Sequence, residues 1–155
     1  MNKINRTDLL IFIVSTELAG AVSALLSGGF VSYYYELVKP PFSPPGWIFP
    51  IVWAVLYALM GISAYMVYSS ESSLRKPAMG IYIAQLAVNF SWSIIFFRFK
   101  LLNVAAVTTV ILTVFVTAMI YCFSRIRKAA GFINIPYLLW SIFASYLAIG
   151  TAMLN

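Results

Sequence analysis

The sequence predicts an all-α integral membrane protein, a single domain over residues 1–155 built as a bundle of five transmembrane helices. Of its 155 residues, 63% are hydrophobic and 9% are charged, whereas a soluble domain is about half apolar and about a quarter charged. The mean hydropathy is +0.94. A buried core alone does not explain this excess. Five separate stretches reach the length of about 20 apolar residues that a helix needs to cross a bilayer.

The five predicted spans are separated by short polar or turn-rich segments. The spans are residues 9–26, 45–68, 77–97, 101–123 and 132–153. The segments SSESSLRK at 69–76 and SRIRKAAG at 124–131 are expected to be loops. A cleaved signal peptide is an alternative interpretation of the first span, but the length of that span and Glu17 at its centre argue against cleavage.

The basic residues predict the orientation of the bundle. The N-terminus and the loops at 69–76 and 124–131 share one side and carry seven Lys and Arg residues, whereas the other side carries three, Lys39, Arg98 and Lys100. Because basic loops stay in the cytoplasm, the N-terminus is predicted to be cytoplasmic, in a multi-pass protein of the cell membrane. The net charge of +6 therefore reflects topology, and no nucleic-acid partner is expected.

The reactive residue types exclude several classes of enzyme. Cys122 is the only cysteine, there is no histidine, and there are four carboxylates. One chain therefore offers no intramolecular disulfide, no cysteine-based zinc or iron–sulfur site and no Ser-His-Asp triad. We predict no metal site, no required cofactor and no acid–base or nucleophilic constellation.

A proline- and aromatic-rich segment, KPPFSPPGWIFPIVW at 39–53, leads into the second span. Prolines lack a backbone donor and restrict the residue before them, so the segment is expected to end the preceding helix. Ser43 is predicted to be the N-cap of the second span, with two prolines in its first turn. The segment is then a rigid, mostly extended lid at the membrane boundary, with Phe42 and Trp47 at its tip.

Three helix faces carry tryptophan inside the membrane, away from the interface where this residue concentrates. At spacings of three and four residues, the faces are Gly46, Pro50, Trp53, Tyr57 and Gly61 in the second span, Gln85, Asn89, Trp92 and Phe96 in the third, and Tyr137, Trp140, Ala144 and Leu147 in the fifth. If the faces converge, they form an aromatic pocket with a few polar contacts, which is typical of a small-molecule site. The alternative is that these residues pack the core of the bundle, and the pattern alone does not separate the two.

Glu17 and two stripes of small residues also have alternative interpretations. A charged side chain at a helix centre costs roughly 2.5–3.5 kcal/mol on insertion scales, so Glu17 is expected to be protonated, to contact a ligand or to hydrogen-bond a neighbouring helix. Small residues let helices approach closely, either within one chain or in a homodimer. The stripes are Ala19, Ser23 and Ser27 in the first span and Gly80, Ala84, Ala87 and Ser91 in the third.

Three separated motifs resemble the TspO/MBR family, the translocator proteins or peripheral-type benzodiazepine receptors. The motifs are YYELVKPPFSPPGWIFPIVWAVLY at 34–57, NFSWSIIFF at 89–97 and PYLLWSIFASYL at 136–147, and the resemblance covers residues 9–153. The chain is identified as similar to the bacterial members. The resemblance implies a five-helix bundle, often a homodimer, that binds protoporphyrin IX or heme, and also ligands of the benzodiazepine-receptor type.

The resemblance further implies light- and oxygen-dependent porphyrin degradation and a part in tetrapyrrole and stress regulation. By motif position, the photochemical role falls to Trp53 and Trp140. The motifs and the helix faces together predict a ligand site formed by Pro40, Pro44, Trp53, Tyr57, Asn89, Trp92, Phe96, Trp140, Ala144 and Leu147. Lys39 is expected to pair with a propionate of the porphyrin. The alternative function is transport of porphyrins or other hydrophobic small molecules across the membrane.

Overall fold

The computed structural model describes residues 5–28 and 30–155, and no β-strand occurs among them. The helices are α1 (Arg6–Ser27), α2 (Phe30–Glu36), α3 (Ile48–Tyr68), α4 (Arg75–Ser93), α5 (Leu102–Ile126), α6 (Lys128–Phe132) and α7 (Ile135–Leu154), with a π-helical turn (Ile94–Arg98) continuing α4. Five stretches are long and apolar enough to cross a membrane, namely Arg6–Ser27, Ile48–Tyr68, Arg75–Arg98, Leu102–Ile126 and Lys128–Leu154. The predicted all-α, five-span fold is confirmed.

The bundle is held by contacts of α1 with α3 and of α5 with both α4 and α7. Two glycines allow α1 and α3 to approach closely. A Cβ built on Gly61 would lie 2.7 Å from the Cα of Ile13, and one built on Gly20 would collide with the ring of Tyr57. Small residues permit this kind of helix contact because they leave the backbone uncovered.

The two stripes of small residues have different surroundings. In α1, Ser23 and Ser27 are buried, and the Ser23 hydroxyl donates a hydrogen bond to the carbonyl of Phe90 at 2.6 Å. In α4, Gly80 and Ala87 are exposed, and a Cβ built on Gly80 would meet no atom of the described chain within 4 Å. The α1 stripe therefore packs helices within one chain, whereas the α4 stripe lies on the outer surface.

The second span begins later than the sequence predicts. α3 starts at Ile48 rather than Pro45, and its N-cap is Trp47, whose side chain makes no capping bond. The predicted N-cap is wrong because the Ser43 hydroxyl donates to the carbonyl of Pro40 at 2.7 Å. The N–H of Ile48 instead donates to the carbonyl of Pro45 at 3.0 Å, which closes a turn that leads into the helix.

The segment 124–131 is not the loop that the sequence predicts. α5 continues to Ile126 and α6 begins at Lys128, so that only Arg127 between them has an extended backbone. Alanine, lysine and arginine are good helix formers, and their presence here explains why the chain stays helical. The short helix α2 ends at Glu36, before the prolines, as the proline-rich segment predicts, but it lies outside the five predicted spans.

A π-helical turn at the end of the third span was also not predicted. The N–H of Phe99 donates to the carbonyl of Ile94 at 3.0 Å, a spacing of five residues. Such turns occur frequently at functional sites. This one brings the neighbouring rings of Phe96 and Phe97, with centroids 4.7 Å apart, to the same cavity.

Hydrogen bonds show which segments share each end of the bundle. At one end, the backbone N–H of Asn5 donates to the hydroxyl of Tyr65, near the end of α3, at 2.8 Å. At the other end, the Asn155 side chain accepts from the N–H of Val38 at 3.1 Å and donates to its carbonyl at 2.8 Å. The C-terminus therefore lies beside the proline lid, and Asn5 lies at the opposite end.

Candidate ligand-binding site

Three adjoining cavities lie beneath the proline lid, with volumes of about 120, 40 and 20 Å³. Phe49 and Trp92 line all three, so we describe the cavities together as one divided cleft. The largest is lined by Gly20, Ala24, Ser27, Tyr34, Gly46, Phe49, Pro50, Trp53, Tyr57, Trp92, Ser93 and Phe97. The other two add Ser43, Phe96, Ala144, Leu147, Ala148, Thr151, Asn89, Thr109, Leu112, Trp140 and Ser141.

Eight of the ten residues predicted to bind a ligand line this divided cleft. They are Trp53, Tyr57, Asn89, Trp92, Phe96, Trp140, Ala144 and Leu147. The other two, Pro40 and Pro44, lie in the lid and are not among the lining residues. Pro40 packs on Gly150, where an added Cβ would lie 2.7 Å from the Cβ of the proline. The three helix faces therefore converge, as the pocket interpretation requires, while ligand binding by these residues stays a prediction.

Sequence reasoning missed three aromatic residues of the cleft. Phe49 precedes Trp53 by four residues, so helical spacing alone was enough to place it on the same face. Its ring centroid lies 5.3 Å from that of Tyr34 and 5.9 Å from that of Trp140. Tyr34 belongs to the short helix α2, outside the five predicted spans, and Phe97 lies in the π-helical turn.

A chain of buried hydrogen bonds lies beside the cleft. The Tyr57 hydroxyl donates to Asn89 Oδ1 at 3.1 Å, and Asn89 Nδ2 donates to the Tyr137 hydroxyl at 2.8 Å. The Tyr137 hydroxyl in turn donates to Gln85 Oε1 at 2.8 Å, and Gln85 Nε2 lies 3.5 Å from Met60 Sδ. Unpaired polar groups are costly in a membrane, so this chain explains how α4 accommodates two amides. Gln85 is thus a packing residue, whereas Asn89 both packs and lines a cavity.

The three tryptophans of the cleft are anchored differently. The indole N–H of Trp92 donates to the carbonyl of Ala105 at 3.1 Å. The indole nitrogen of Trp140 is buried and has no hydrogen-bond partner in the described part of the chain. The ring of Trp53 packs on that of Tyr57, with centroids 5.5 Å apart. Buried indole N–H groups usually find a partner, so Trp140 carries a free donor at the edge of the cleft.

Hydrogen bonds between the lid and α2 and α7 hold the lid over the cleft. The Tyr34 hydroxyl donates to the carbonyl of Pro44 at 2.6 Å, and the Tyr146 hydroxyl donates to that of Pro41 at 2.9 Å. Burial raises the pKa of Tyr34, with a smaller contribution from the neighbouring Tyr35, so the phenol stays protonated and keeps donating. The tip of the lid is apolar and exposed, as predicted, at Phe42 and Trp47.

Lys39 is already bonded to carbonyl groups of the protein. Its ammonium group donates to the carbonyl of Tyr34 at 3.0 Å and to that of Leu37 at 2.9 Å. These carbonyls lie at the C-terminal end of α2, where a positive charge is favourable. The ammonium also lies 4.9 Å from the centre of the Tyr34 ring. A propionate partner for Lys39 stays a prediction, and it would compete with these contacts.

Comparisons of the sequence with a family model and with known proteins point to the same family. The sequence model of the TspO/MBR family matches residues 11–154. The chain is 34% identical over 146 residues to "Tryptophan-rich sensory protein" of Cereibacter sphaeroides, covering 94% of this chain and 90% of the relative. It is 35% identical over 125 residues to "Tryptophan-rich protein TspO" of Chlorobaculum tepidum, covering 79% of each. It is 30% identical over 128 residues to "Translocator protein" of Homo sapiens, covering 81% of this chain and 76% of the relative.

The match extends over four of the five spans in full and most of the first, and over all three walls of the cleft. This chain is thus a multi-pass membrane protein that belongs to the TspO/MBR family.

Proposed function

We propose that this chain binds tetrapyrroles, protoporphyrin IX or heme, and promotes their light- and oxygen-dependent degradation as part of tetrapyrrole and stress regulation. The observation that carries the proposal is the divided cleft, where the rings of Phe49, Trp53, Trp92 and Trp140 lie around a few polar groups, among them Asn89. Aromatic walls suit a large flat π-system, because rings stack and pack edge-to-face. Synthetic ligands of the benzodiazepine-receptor type, which are also flat and apolar, are expected to bind in the same cleft.

The cleft must widen to admit a tetrapyrrole. Small-molecule sites commonly have volumes of about 300–1,000 Å³, whereas the largest of the three cavities in the cleft has about 120 Å³. Because Phe49 and Trp92 line all three cavities, rearrangement of these two side chains joins the cavities into one space. Of the two, Phe49 is the easier to move, since the indole of Trp92 is held by its hydrogen bond to Ala105.

Trp53 and Trp140 are the residues proposed to carry the photochemistry. An indole beside an excited porphyrin donates an electron or a hydrogen atom, or reacts with the oxygen species that the pigment generates. The protein supplies the position of the indoles, and the pigment supplies the reactive state. Both tryptophans line the same small cavity, together with Asn89. No metal and no further cofactor are required.

A titration of the detergent-purified protein with protoporphyrin IX tests the proposal. Tryptophan fluorescence reports binding, and pigment absorbance under illumination, with and without oxygen, reports degradation. We expect saturable quenching, followed by pigment loss that needs the protein, light and oxygen. Trp47→Phe is the control variant, and it is expected to bind and degrade the pigment as the wild type does, because Trp47 is 64% exposed and lies outside the cleft. Non-saturable quenching of the tryptophan fluorescence would contradict the proposed binding. Pigment loss at the same rate without protein would contradict the proposed degradation.

Transport across the membrane is the alternative function. A flux assay with the same purified protein distinguishes transport from binding. In porphyrin-loaded liposomes, a transporter produces net flux across the bilayer in the dark, whereas a binding protein only equilibrates with the pigment. Alternating access usually relies on repeated halves with broken helices. The described chain has one π-helical turn in the third span and one break, between α6 and α7, in the fifth.

The chain is further proposed to form a homodimer through the outer face of α4. The small residues of α1 are used within the chain, whereas Gly80 and Ala87 of α4 are exposed beside Ile83, which is 63% exposed. Small residues on an open membrane helix favour association with a second helix. Gly80→Trp is expected to shift the protein from dimer to monomer in light scattering, and unchanged mass would contradict this interface.

The protein is proposed to lie in the plasma membrane, with its N-terminus in the cytoplasm. The N-terminus and the segments 69–76 and 124–131, which are predicted to share one side, carry seven of the ten Lys and Arg residues. Ser70→Cys, combined with Cys122→Ser so that the chain has one thiol, is expected to react with an impermeant thiol reagent only after the membrane is opened. Labelling at this position in intact cells would contradict the proposal and indicate the opposite orientation.

A further inference from the structure

An open apolar groove runs along the outer surface between α3 and α7. Its free space is about 500 Å³, and its lining includes Val52, Val55, Leu56, Leu139 and Phe143. Val55 and Leu139 are more than half exposed, at 55% and 62%. Since both helices belong to membrane spans, the groove faces the hydrocarbon chains of the bilayer.

Trp140 is the wall that the groove shares with the cleft. It lines the outer groove and also the inner cavity that contains Asn89 and Trp53. Its indole nitrogen has no hydrogen-bond partner in the described part of the chain, in contrast to that of Trp92. The orientation of the Trp140 ring is therefore set by packing, and no hydrogen bond must break when it turns.

The backbones of α3 and α7 do not approach each other closely, and the two helices pack through their side chains. The extensive helix contacts are those of α5 with α7 and of α1 with α3, and α3 and α7 are not among the closely packed pairs. They meet through ring contacts, in which the centroid of Trp140 lies 5.9 Å from Phe49 and that of Trp53 lies 6.1 Å from Tyr137. Side chains can rearrange here without separating two tightly packed backbones.

The lid, by comparison, is fastened at several points. Its Pro44 and Pro41 carbonyls accept hydrogen bonds from Tyr34 and Tyr146, and Asn155 makes two hydrogen bonds to Val38, directly before the lid. A ligand that came through the lid would have to break these bonds. A ligand in the bilayer meets only apolar side chains in the groove.

We propose that the groove between α3 and α7 is the route by which the cleft receives its ligand, and that Trp140 is the gate. The ligand is the tetrapyrrole of the proposed function, on which this inference rests. The flat, largely apolar ring system dissolves in the hydrocarbon layer, seats in the groove and passes between the helices as the Trp140 ring turns aside.

Filling the groove from outside tests the route. Val55→Trp and Leu139→Trp enlarge exposed groove residues that do not line the cleft, and Val114→Trp on α5 makes the same kind of change at a site that is 65% exposed. Each variant is placed in phosphatidylcholine nanodiscs and mixed with protoporphyrin IX. Pigment absorbance gives the association rate, the dissociation rate and the Kd.

A block in the route slows both directions equally, because it raises the barrier without changing the bound or free state. We expect the two groove variants to associate and dissociate more slowly by about tenfold, with an unchanged Kd, and Val114→Trp to match the wild type.

Wild-type rates in both groove variants would overturn the route while leaving the binding site intact. A weaker Kd at an unchanged association rate would also overturn it, since the residues would then act on the bound state. If the wild type itself shows no saturable binding, the proposed function fails, and the route fails with it.

Discussion

Asn89 donates a hydrogen bond to the hydroxyl of Tyr137 at 2.8 Å, which joins α4 to α7 inside the bundle. Both side chains are buried, and each makes a further hydrogen bond, Asn89 to Tyr57 and Tyr137 to Gln85. The polar groups that line the cleft thus also fix the relative positions of three helices that form it. Binding and stability are expected to respond together when this chain of bonds is broken.

Removal of the Tyr137 hydroxyl is expected to destabilise the protein. Tyr137→Phe leaves Asn89 Nδ2 and Gln85 Oε1 without their partner, and a single such bond in a membrane protein is worth about 1 kcal/mol. Thermal unfolding in detergent should show a lower midpoint for this variant. Tyr121→Phe is the control, because Tyr121 is 64% exposed. Equal midpoints for Tyr137→Phe and the wild type would show that the hydrogen-bonded chain does not contribute to stability.

Replacement of either photochemical tryptophan is expected to slow pigment loss more than binding. In Trp53→Phe and Trp140→Phe an aromatic ring still lines the cavity, but phenylalanine is much harder to oxidise than tryptophan. We expect degradation about tenfold slower, equivalent to ~1.4 kcal/mol in the barrier, with a Kd close to that of the wild type. The measurement is pigment absorbance under constant illumination at saturating protein. Wild-type rates in both variants would remove the two indoles from the mechanism.

Gly20 is expected to be intolerant of any side chain. A Cβ at this position collides with the ring of Tyr57, so Gly20→Ala pushes that ring away and weakens its bond to Asn89. Overpacking of this kind costs about 1–3 kcal/mol. Gly80→Ala is the control, because an added Cβ meets nothing there and alanine favours the helix. Thermal midpoints in monomeric detergent solution compare the two, and a stable Gly20→Ala protein would contradict the close packing of α1 on α3.

Release of the lid is expected to change its dynamics but not the arrival of ligand. Asn155→Ala removes both hydrogen bonds to Val38, so amide hydrogen exchange in residues 37–47 should become faster. Asn103→Ala, at an exposed position of α5, is the matched control. Because the ligand is proposed to enter through the groove between α3 and α7, the association rate of protoporphyrin IX should stay the same. A faster association rate in Asn155→Ala alone would indicate that the ligand passes through the lid.

The sequence was sufficient for the fold class and for most of the cleft walls. Apolar length determines the spans, and helical spacing placed Trp53, Asn89, Trp92 and Trp140 on inward faces. These predictions succeeded because a membrane helix must satisfy its own backbone, so the positions of side chains follow from the spacing alone. Phe49 was within reach of the same reasoning, since it lies four residues before Trp53.

Other features depend on contacts that spacing does not encode. The Ser43 hydroxyl bonds back to Pro40 instead of capping α3, and Lys39 is taken up by the carbonyls at the end of α2. The π-helical turn that brings Phe97 into the cleft shifts the helical register locally, and an ideal period cannot predict it. The segment 124–131 was wrongly predicted to be a loop because it contains several polar residues. In the structure it is helical except at Arg127.

Occlusion of the cleft tests its role as the binding site most directly. Ala144 lines two of the three cavities, and Ala144→Phe puts a ring into that space. Ala54→Phe makes the same change at an exposed position of α3 outside the cleft. The measurement is the Kd for protoporphyrin IX by fluorescence titration in detergent. We expect Ala144→Phe to bind at least about tenfold more weakly while Ala54→Phe binds as the wild type does. Equal Kd values for all three proteins, each with an unchanged thermal midpoint, would place the tetrapyrrole elsewhere.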